Sequence, residues 1–539
     1  MKKLILQLLL LSMVCSYCNA SMVDLLRVRL DKLPKQDFAR IEATDFGNAL
    51  VVTVPENRKQ GSHWIVMKQL DLKPFRGKKL LFTVFAKGEN IAKAPEYYLG
   101  LKYMFIVRTE TGKGHPQAPG LAGTFDWRKL SFEVQVPQDA ISGELVAGLQ
   151  ETSGKVWFRN FMISQGGFLK PPVELPPDFR CEYTSEFLAR PITRGVMSPH
   201  PLEVTEKDID DLGSWGATNI RWQLKGSNEQ AVDLEVYNNL IDRQLDRLEE
   251  LLPAFERNGI HIIIDMHLLP GGRIDYAGPL GTAGEEAVAA YGNAAANRAL
   301  GVEKYYRAYL DTWRKIARRF KSYPIVMGYD LFNEPVQSCE MPHDYLSIQY
   351  DAARAIREID SERMIVISSN NWGGPDGFAS LTPLPLKNLV YQTHFYNPGT
   401  YTHQGVFKNA RMGTRYPGVI DGVYVDKNML KKYLKPVVEF QKKYGARIYC
   451  GEFSVARYAP GGAQYLKDVI SIFEEYGWEW SYHAFRESHF WSVEHAGPDG
   501  AHPVPALDTD RKRVLLEAFK KNRKFKEELR CRLKIKKYL

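Results

Sequence analysis

From Pro191 onward the sequence alternates short apolar segments with longer stretches of helical periodicity. Eight apolar segments of strand length occur in order: Thr193–Val196, Ala217–Trp222, Ile260–Met266, Pro324–Phe332, Met364–Ser369, Leu389–Tyr396, Arg447–Phe453 and Trp480–Phe485. Between them, apolar residues recur at helical spacing over Leu234–Asn258, Val302–Arg319, Tyr345–Ile359, Lys427–Tyr444 and Tyr465–Tyr476. Repeated strand–helix units of this number and length are typical of a (β/α)8 barrel, which we predict for residues 191–522.

The first part of the chain has a different pattern, without helical periodicity. Short alternating or apolar runs are separated by Gly, Pro, Asp and Asn, and they include 50–54, 79–86, 99–108, 129–136, 144–150 and 155–163. We therefore predict an all-β sandwich, similar to a jelly roll, over residues 21–165. Dense proline and glycine then predict a linker over residues 166–190.

The two ends of the chain suggest where the protein is located. Two lysines, a short apolar run and small residues before Ser21 predict a signal peptide over residues 1–20. We therefore expect a secreted or periplasmic protein, with a cell-surface location as an alternative. The net charge is +9, and residues Arg511 to Leu539 alone, with 13 Lys/Arg and 3 Glu, carry +10. The rest of the protein is therefore nearly neutral. The segment 523–539 is a basic tail, which does not by itself indicate nucleic-acid binding.

Other sequence signals argue against a membrane span and against a metal site. No internal run is long and apolar enough to predict a transmembrane helix. Cys181, Cys339, Cys450 and Cys531 are widely scattered and have no metal-ligand spacing, so we predict no metal and no cofactor. Export permits a disulfide, but the pairing stays open.

Polar side chains stand where the predicted barrel strands end. In barrels of this type, catalytic groups lie at the carboxyl ends of the strands. In chain order these side chains are Arg221, His267, Asn333, Glu334, Trp372, His394, Tyr396, Glu452 and His483. Strand ends that only closed a core would carry turn residues, so we predict that this set forms the functional site.

Two glutamates in this set suggest the chemistry. Glu334 ends the fourth strand and Glu452 ends the seventh, and a closed barrel brings both ends to its mouth. Glycoside hydrolysis requires two facing carboxyl groups, one protonated to release the leaving oxygen and one ionised. Arg221 can hold one carboxylate ionised. The hydroxyl of Tyr396, which shares a strand face with His394, can hydrogen-bond the nucleophile.

Short motifs surround these residues: Leu331-Phe332-Asn333-Glu334-Pro335, His394-Phe395-Tyr396, Gly451-Glu452-Phe453, Asp265-Met266-His267 and Arg221 at the end of its strand. Together and in this order they resemble glycoside hydrolase family 5, over roughly residues 190–522. The resemblance implies a retaining enzyme on a (β/α)8 barrel that acts on β-glucans, β-mannans or related chains. It implies Glu334 as acid/base and Glu452 as nucleophile. It implies active-site support from Arg221, His267, Asn333, His394 and Tyr396.

The sequence departs from this family pattern at two positions. The family usually places a tryptophan after the eighth strand, whereas His483 stands at that position here. Trp480, Trp491 or His483 itself are the alternatives for contact with the sugar. Met197 ends the first strand where asparagine is often found. We expect these changes to affect the choice of substrate and not the type of reaction.

The amino-terminal segments 123–129 and 154–160 resemble the jelly-roll carbohydrate-binding modules that accompany many glycosidases. For their tryptophans, Trp127 and Trp157, we expect a place in the core and not a role as sugar platforms. A β-sandwich that is only a spacer remains the alternative.

The sequence therefore predicts a retaining endo-acting β-glycanase with β-1,4-glucan as the preferred substrate and a polysaccharide or oligosaccharide as its partner. A β-mannanase, or an exo-acting or glycolipid-acting β-glycosidase, is the first alternative. A barrel that binds carbohydrate without catalysis is a distant one, against which the presence of Glu334 and Glu452 argues. The exact sugar, the linkage and the oligomeric state stay open.

Overall fold

The computed structural model describes residues 23–27, 30, 36–44, 47–96, 98–110, 112–118, 120–165, 171–274, 296–337, 341–406 and 412–522. The predicted signal peptide and the basic tail lie outside these residues. Within the described ranges, no helix has the length and apolar character needed to cross a membrane. Cys181 and Cys450 are free thiols.

The amino-terminal part consists of antiparallel strands in two sheets. One sheet contains Val23–Arg27, Ala39–Thr44, Gly47–Val54, Lys79–Ile91, Gly123–Gln135 and Gly154–Gln165, and the other contains Ser62–Asp71, Gly100–Thr109, Lys113–Gly114 and Ala140–Gln150. Apolar side chains from both sheets share one core, in which the ring of Phe82 lies 4.6 Å from that of Phe105 and 4.8 Å from that of Phe132. The predicted all-β fold is confirmed.

Trp127 and Trp157 do not belong to this core, so our expectation for them is wrong. Successive side chains of a strand point to opposite faces, and the neighbour Phe158 occupies the inner face. Both indoles are half-buried on the outer face. The guanidinium of Arg159 lies 4.2 Å from the Trp127 ring, and the ammonium of Lys155 lies 4.0 Å from the Trp157 ring. Each indole therefore packs against a cation.

The second part of the chain is a closed barrel of parallel strands, as predicted. In order, the eight barrel strands are Arg194–Met197, Asn219–Gln223, His261–Asp265, Val326–Asp330, Met364–Ser368, Leu389–Phe395, Arg447–Phe453 and Glu479–Tyr482. The last strand pairs with the first, where Val196 is opposite Tyr482. The strands are buried almost throughout because one face points into the barrel and the other packs against helices.

The helices described around the barrel include the five predicted ones, one of them divided in two, and five that were not predicted. They are Ser185–Leu188, Glu206–Trp215, Asn228–Val232, Leu234–Asn258, Glu303–Phe320, Tyr345–Arg357, Gly399–Thr402, Lys427–Tyr433, Lys435–Tyr444, Gly462–Tyr476 and Asp510–Phe519. The predicted helix over 427–444 is divided in two because Pro436 lacks a backbone N–H and suits the first turn of a new helix. We missed the helix after the first barrel strand, although Thr205 and Asp208 form its capping box.

In the described part of the chain, three two-stranded ribbons lie on connections of the barrel. They pair Arg273–Ile274 with Ala296–Asn297, Gly418–Ile420 with Val423–Val425, and His495–Ala496 with Val504–Pro505. The first ribbon matters for function because it places Arg273 beside the fourth barrel strand.

The segment before the first strand packs on the barrel. Phe187 belongs to a cluster with Ile263, Val366 and Tyr449, which is separate from the main barrel core. The backbone N–H of Cys181 donates to the carbonyl of Tyr444 at 2.8 Å. The part of the predicted linker that follows Cys181 therefore packs against the barrel.

The closed barrel leaves no room for a side chain at Gly195. A Cβ atom there would lie 1.8 Å from the backbone oxygen of Asn219 on the neighbouring strand. Gly195→Ala should therefore lower the free energy of unfolding by about 3 kcal/mol, the upper end of the usual overpacking cost. Denaturant unfolding monitored by circular dichroism would measure it. Gly399→Ala is the control, because its Cβ would meet nothing within 4 Å. An equal loss in both variants would contradict the steric argument.

Candidate active site

A buried arginine joins three carboxylates at the mouth of the barrel. Arg221 lies on the second barrel strand and its side chain is fully buried. Its Nε donates to Asp330 at 2.7 Å and its Nη1 donates to Glu452 at 2.8 Å. Its Nη2 lies 2.9 Å from Asp265. Because buried carboxylates are unfavourable without a countercharge, this one guanidinium supports groups from the third, fourth and seventh strands.

Glu452 is held by donors on both of its oxygens. Oε1 accepts from Arg221, and Oε2 accepts from the hydroxyl of Tyr396 at 3.0 Å. Nδ1 of His394 lies 3.6 Å away. Burial alone would raise the pKa of this carboxyl, but the surrounding positive charges, led by His394, hold the pKa well below its usual range. Glu452 is therefore ionised at neutral pH.

Glu334 has a different environment. Its carboxylate lies 3.1 Å from Nδ1 of His394 and 3.7 Å from Nη1 of Arg273. Its side chain is 21% exposed, against 7% for Glu452, so Glu334 has the better access to solvent protons. Its φ of +48° is uncommon for a residue with a side chain. Arg273 donates to its carbonyl oxygen at 2.8 Å and so stabilises this turn.

The two glutamates face each other across a short gap. One carboxylate oxygen of each, together with a ring nitrogen of His394, lie within 4.8 Å of one another. Within the part of the chain that the structure describes, this is the one group of three such side chains close enough to surround a metal ion. Nδ1 of His394 already lies within hydrogen-bonding distance of Glu334. Glu452 also accepts hydrogen bonds from Arg221 and Tyr396. We therefore assign no metal to it.

His267 and Asn333 lie next to each other at the same mouth. Nδ1 of His267 lies 2.9 Å from Asp265, which fixes the orientation of the ring. Its Nε2 lies 3.3 Å from the amide nitrogen of Asn333. The Asn333 oxygen accepts from Nη2 of Arg221 at 3.0 Å. The amide group of Asn333 is thus held beside Glu334 by partners on both sides.

His483 belongs to a chain of polar groups that reaches Glu452. The Tyr396 oxygen lies 2.8 Å from Nδ1 of His483, and Nε2 of this ring lies 2.9 Å from Glu487. Glu487 is also paired with Lys225. Burial alone would lower the pKa of His483, but the negative charge of Glu487 raises it above its usual value.

The two tryptophans considered as sugar contacts near the eighth strand are both buried. Trp480 is fully buried and packs against Phe453 and Phe519, so it cannot contact a sugar and that alternative is wrong. Trp491 is also buried, with its ring 5.8 Å from that of His483 and 6.1 Å from that of Tyr396. Trp491 therefore supports the two polar rings from behind.

Trp372 offers an exposed aromatic surface next to the glutamates. It is 44% exposed and follows the fifth strand. The guanidinium of Arg273 lies 4.4 Å from its ring, and the same arginine contacts Glu334. An exposed indole held by a cation in this position can stack on the face of a sugar.

The structure brings every predicted site residue to one end of the barrel, together with several partners that the sequence did not predict. Asp330, Arg273, Glu487 and Lys225 were not predicted. Asp330 was detectable, because a carboxylate inside an apolar strand requires a buried cation nearby. Arg273, on a two-residue ribbon strand, and Glu487, on a loop, gave no such signal, because the course of both connections depends on the folded barrel.

The comparison with protein families agrees with this geometry. The sequence model of the family described as cellulase (glycosyl hydrolase family 5) matches residues 190–488, which is more than half of the chain. The chain belongs to glycosyl hydrolase family 5. The matched range contains all eight barrel strands and both glutamates, whereas Trp491 and the helix Asp510–Phe519 follow it. This family 5 protein is therefore a glycoside hydrolase.

Individual relatives of this family 5 chain are distant in sequence. Endoglucanase C of Acetivibrio thermocellus is 26% identical over 313 residues, which cover 52% of this chain and 84% of that protein. Cellodextrinase A of Ruminococcus flavefaciens is 23% identical over 283 residues, covering 51% and 76%. A solved structure of Cel5A from Thermotoga maritima with cellobiose has a TM-score of 0.46 and 22% identity, and it covers 61% of this chain and 97% of that one.

Removal of the central cation should be costly for stability. Arg221→Met would leave Asp265, Asp330 and Glu452 buried without their shared countercharge. We expect the free energy of unfolding to fall by about 3–5 kcal/mol, the usual effect of removing one partner from a buried ion pair. Chemical denaturation at pH 7 would measure this loss. Arg307→Ala, which removes an exposed helix pair with Glu303, should change stability by less than about 0.5 kcal/mol. Similar values for both variants would contradict the central role of Arg221.

Proposed function

We propose that the protein is a retaining, endo-acting β-glycanase that cleaves β-1,4-glucan, with Glu452 as nucleophile and Glu334 as general acid/base. The observation that carries this proposal is that one carboxylate oxygen of Glu334 lies within 4.8 Å of one of Glu452. Retaining glycosidases hold these groups about 5–5.5 Å apart, whereas inverting ones need about 6.5–9.5 Å to admit a water between carboxylate and sugar.

The neighbours of Glu452 and Glu334 indicate which of them is the nucleophile and which is the acid/base. Arg221 and Tyr396 hold Glu452 as an anion, which is the state that attacks the anomeric carbon. Among the described residues, no arginine or lysine donates a hydrogen bond to the Glu334 carboxylate, whose nearest such cation, Arg273, is 3.7 Å away, and Glu334 is the more exposed of the two. It can therefore take a proton from solvent and give it to the leaving oxygen.

The proposed reaction has two steps. In the first, Glu334 protonates the glycosidic oxygen while a Glu452 oxygen bonds to the anomeric carbon, so the aglycone leaves and a glycosyl ester remains. In the second, Glu334 takes a proton from water, whose oxygen displaces the ester oxygen at the same carbon. Two inversions restore the original anomeric configuration. Asn333 is in place to bind the hydroxyl next to the reacting carbon.

The substrate and the location are supported by separate observations. The matched family is described as cellulase, and the two relatives are named as an endoglucanase and a cellodextrinase. The exposed Trp372 beside the glutamates suits a polymer whose sugar rings can stack on an indole. The signal-like sequence over residues 1–20 supports export, and a polysaccharide is too large to reach an enzyme inside the cell.

Substitution of the two glutamates tests the roles. Glu452→Gln should abolish turnover of all β-glycosides because it removes the nucleophile and preserves the shape of the side chain. Glu334→Ala should reduce kcat on cello-oligosaccharides by about 10²–10⁴, the usual contribution of a general acid. It should affect aryl glycosides with acidic leaving groups much less, and azide should restore part of the rate. Steady-state kinetics on both substrate classes would measure this.

The wild-type enzyme provides the matching control. Proton NMR of the first product from a β-glucan should show the β-anomer, and a panel of β-glucan, β-mannan and glycosylated lipid would identify the preferred substrate. An α-anomeric first product would exclude the double displacement. Equal loss on natural and aryl substrates in Glu334→Ala, without azide rescue, would show that the roles are assigned wrongly.

The proton on Tyr396 links the nucleophile to His483. Burial raises the pKa of Tyr396 well above its usual value, so the hydroxyl keeps its one proton. That proton has two possible acceptors, Oε2 of Glu452 at 3.0 Å and Nδ1 of His483 at 2.8 Å. When His483 is protonated on both nitrogens it can only donate, and the hydroxyl proton is then directed to Glu452. Glu487 favours this state because it raises the pKa of His483.

Glu487→Gln should therefore change the pH dependence of the enzyme. The amide removes the negative charge that raises the pKa of His483, so the imidazolium loses its proton at a lower pH. We expect the alkaline limb of the kcat/KM profile to move to lower pH, with the acid limb unchanged. Glu474→Gln, which alters an ion pair with Arg194 distant from Tyr396, is the control and should leave the profile in place. An unshifted alkaline limb in Glu487→Gln would contradict the argument.

A further inference from the structure

A cavity lies between the β-sandwich and the barrel. It has a volume of about 320 Å³, within the range of small-ligand sites. The sandwich lines it with His115 and Gln135, and the barrel lines it with Asn371 and Asp376 from the connection after the fifth strand. Both parts of the chain therefore contribute hydrogen-bonding side chains to one space.

These side chains are available to a ligand. All four side chains are exposed, and among the described residues no side-chain hydrogen bond or ion pair is found for them. The cavity also contains Lys79 and Glu133, but they pair with each other at 3.2 Å and so leave little net charge. Amide, imidazole and carboxylate groups without a dominant charge suit a neutral ligand with many hydroxyl groups.

The cavity adjoins the catalytic mouth. Asn371 precedes Trp372, and both have a positive φ in the same turn. The Trp372 backbone N–H donates to the carbonyl of Pro335 at 3.2 Å, and its ring is held by the guanidinium that contacts Glu334. One turn thus carries both Trp372, which shares Arg273 with Glu334, and Asn371, which lines the cavity.

We propose that this interdomain cavity is a distal binding site for pyranose units of the same polysaccharide chain that the barrel cleaves. The site is shared: the sandwich provides His115 and Gln135, and the barrel provides Asn371 and Asp376. This inference rests on the proposed glycanase function. The proposal gives the sandwich a defined role in substrate binding. The sandwich completes a site that long chains reach and short oligosaccharides do not.

Three substitutions in the full-length protein test the site. His115→Ala and Asp376→Ala each remove one polar group, and Asn371→Gly removes the amide at a positive φ that glycine adopts without strain. For a long soluble β-glucan, KM should rise about fivefold in each variant, which corresponds to one hydrogen bond of ordinary net strength. The kcat value should not change. For an aryl cellobioside, both KM and kcat should stay at the wild-type values.

Binding and control measurements complete the test. Calorimetry in the Glu452→Gln background, which should bind without cleavage, should show the same weakening for a long glucan and none for cellobiose. Asp311→Ala and Lys113→Ala, which change exposed residues outside the cavity, should leave both substrates unaffected. Thermal unfolding would verify that all variants are folded.

The outcomes separate the distal site from the proposed function. If all cavity variants match the wild type on long glucan, the cavity is only a hydrated contact between the two parts and the proposal fails. If long and short substrates weaken equally, the cavity residues act through the catalytic mouth and the distal site is also excluded. If the wild type cleaves the aryl cellobioside but shows no preference for long chains, the glycanase function stands and the distal site does not. A wild type without activity on any β-glycoside would refute the proposed function itself.

Discussion

The interior of the barrel mouth depends on the charge balance around Arg221. Three carboxylates, Asp265, Asp330 and Glu452, are buried at the ends of different strands, and each would be unfavourable there without a cation. One guanidinium serves all three, because its rigid planar fork donates hydrogen bonds to Asp330 and Glu452 and forms an ion pair with Asp265. The fork also fixes how these strand ends lie relative to one another. A lysine, with a single charged nitrogen, could not hold the same three groups.

This charge balance makes the two facing glutamates unequal. Glu452 lies inside the charged cluster, whereas Glu334 lies at its edge, on a turn stabilised by Arg273. His394 lies between them, within hydrogen-bonding distance of Glu334 and slightly farther from Glu452. Two chemically identical side chains thus obtain different environments from their neighbours, which is the condition for one to act as an acid and the other as an anion.

Much of the fold was predictable because it depends on local periodicity. Strand-length apolar runs that alternate with amphipathic helices specify a (β/α)8 barrel, and the rule that function lies at the strand ends identified the residues of the mouth. The errors have equally physical causes. Trp127 and Trp157 were expected in the core, but a one-residue difference in register sends a strand side chain to the opposite face. Trp480 was considered as a sugar contact, but the helix carrying Phe519 covers it.

The sequence by itself determined the barrel, the order of its strands and the identity of the polar residues at their ends. The apolar periodicity of strands and helices depends only on residues close together in the sequence. Only the tertiary structure decided which groups those residues contact. The pairing of Asp330 with Arg221, the contact of His483 with Glu487 and the cavity between the two parts of the chain join elements that have no local relation in sequence. Such contacts exist only after the barrel closes and its loops pack, since closure sets the distance between residues that are far apart along the chain.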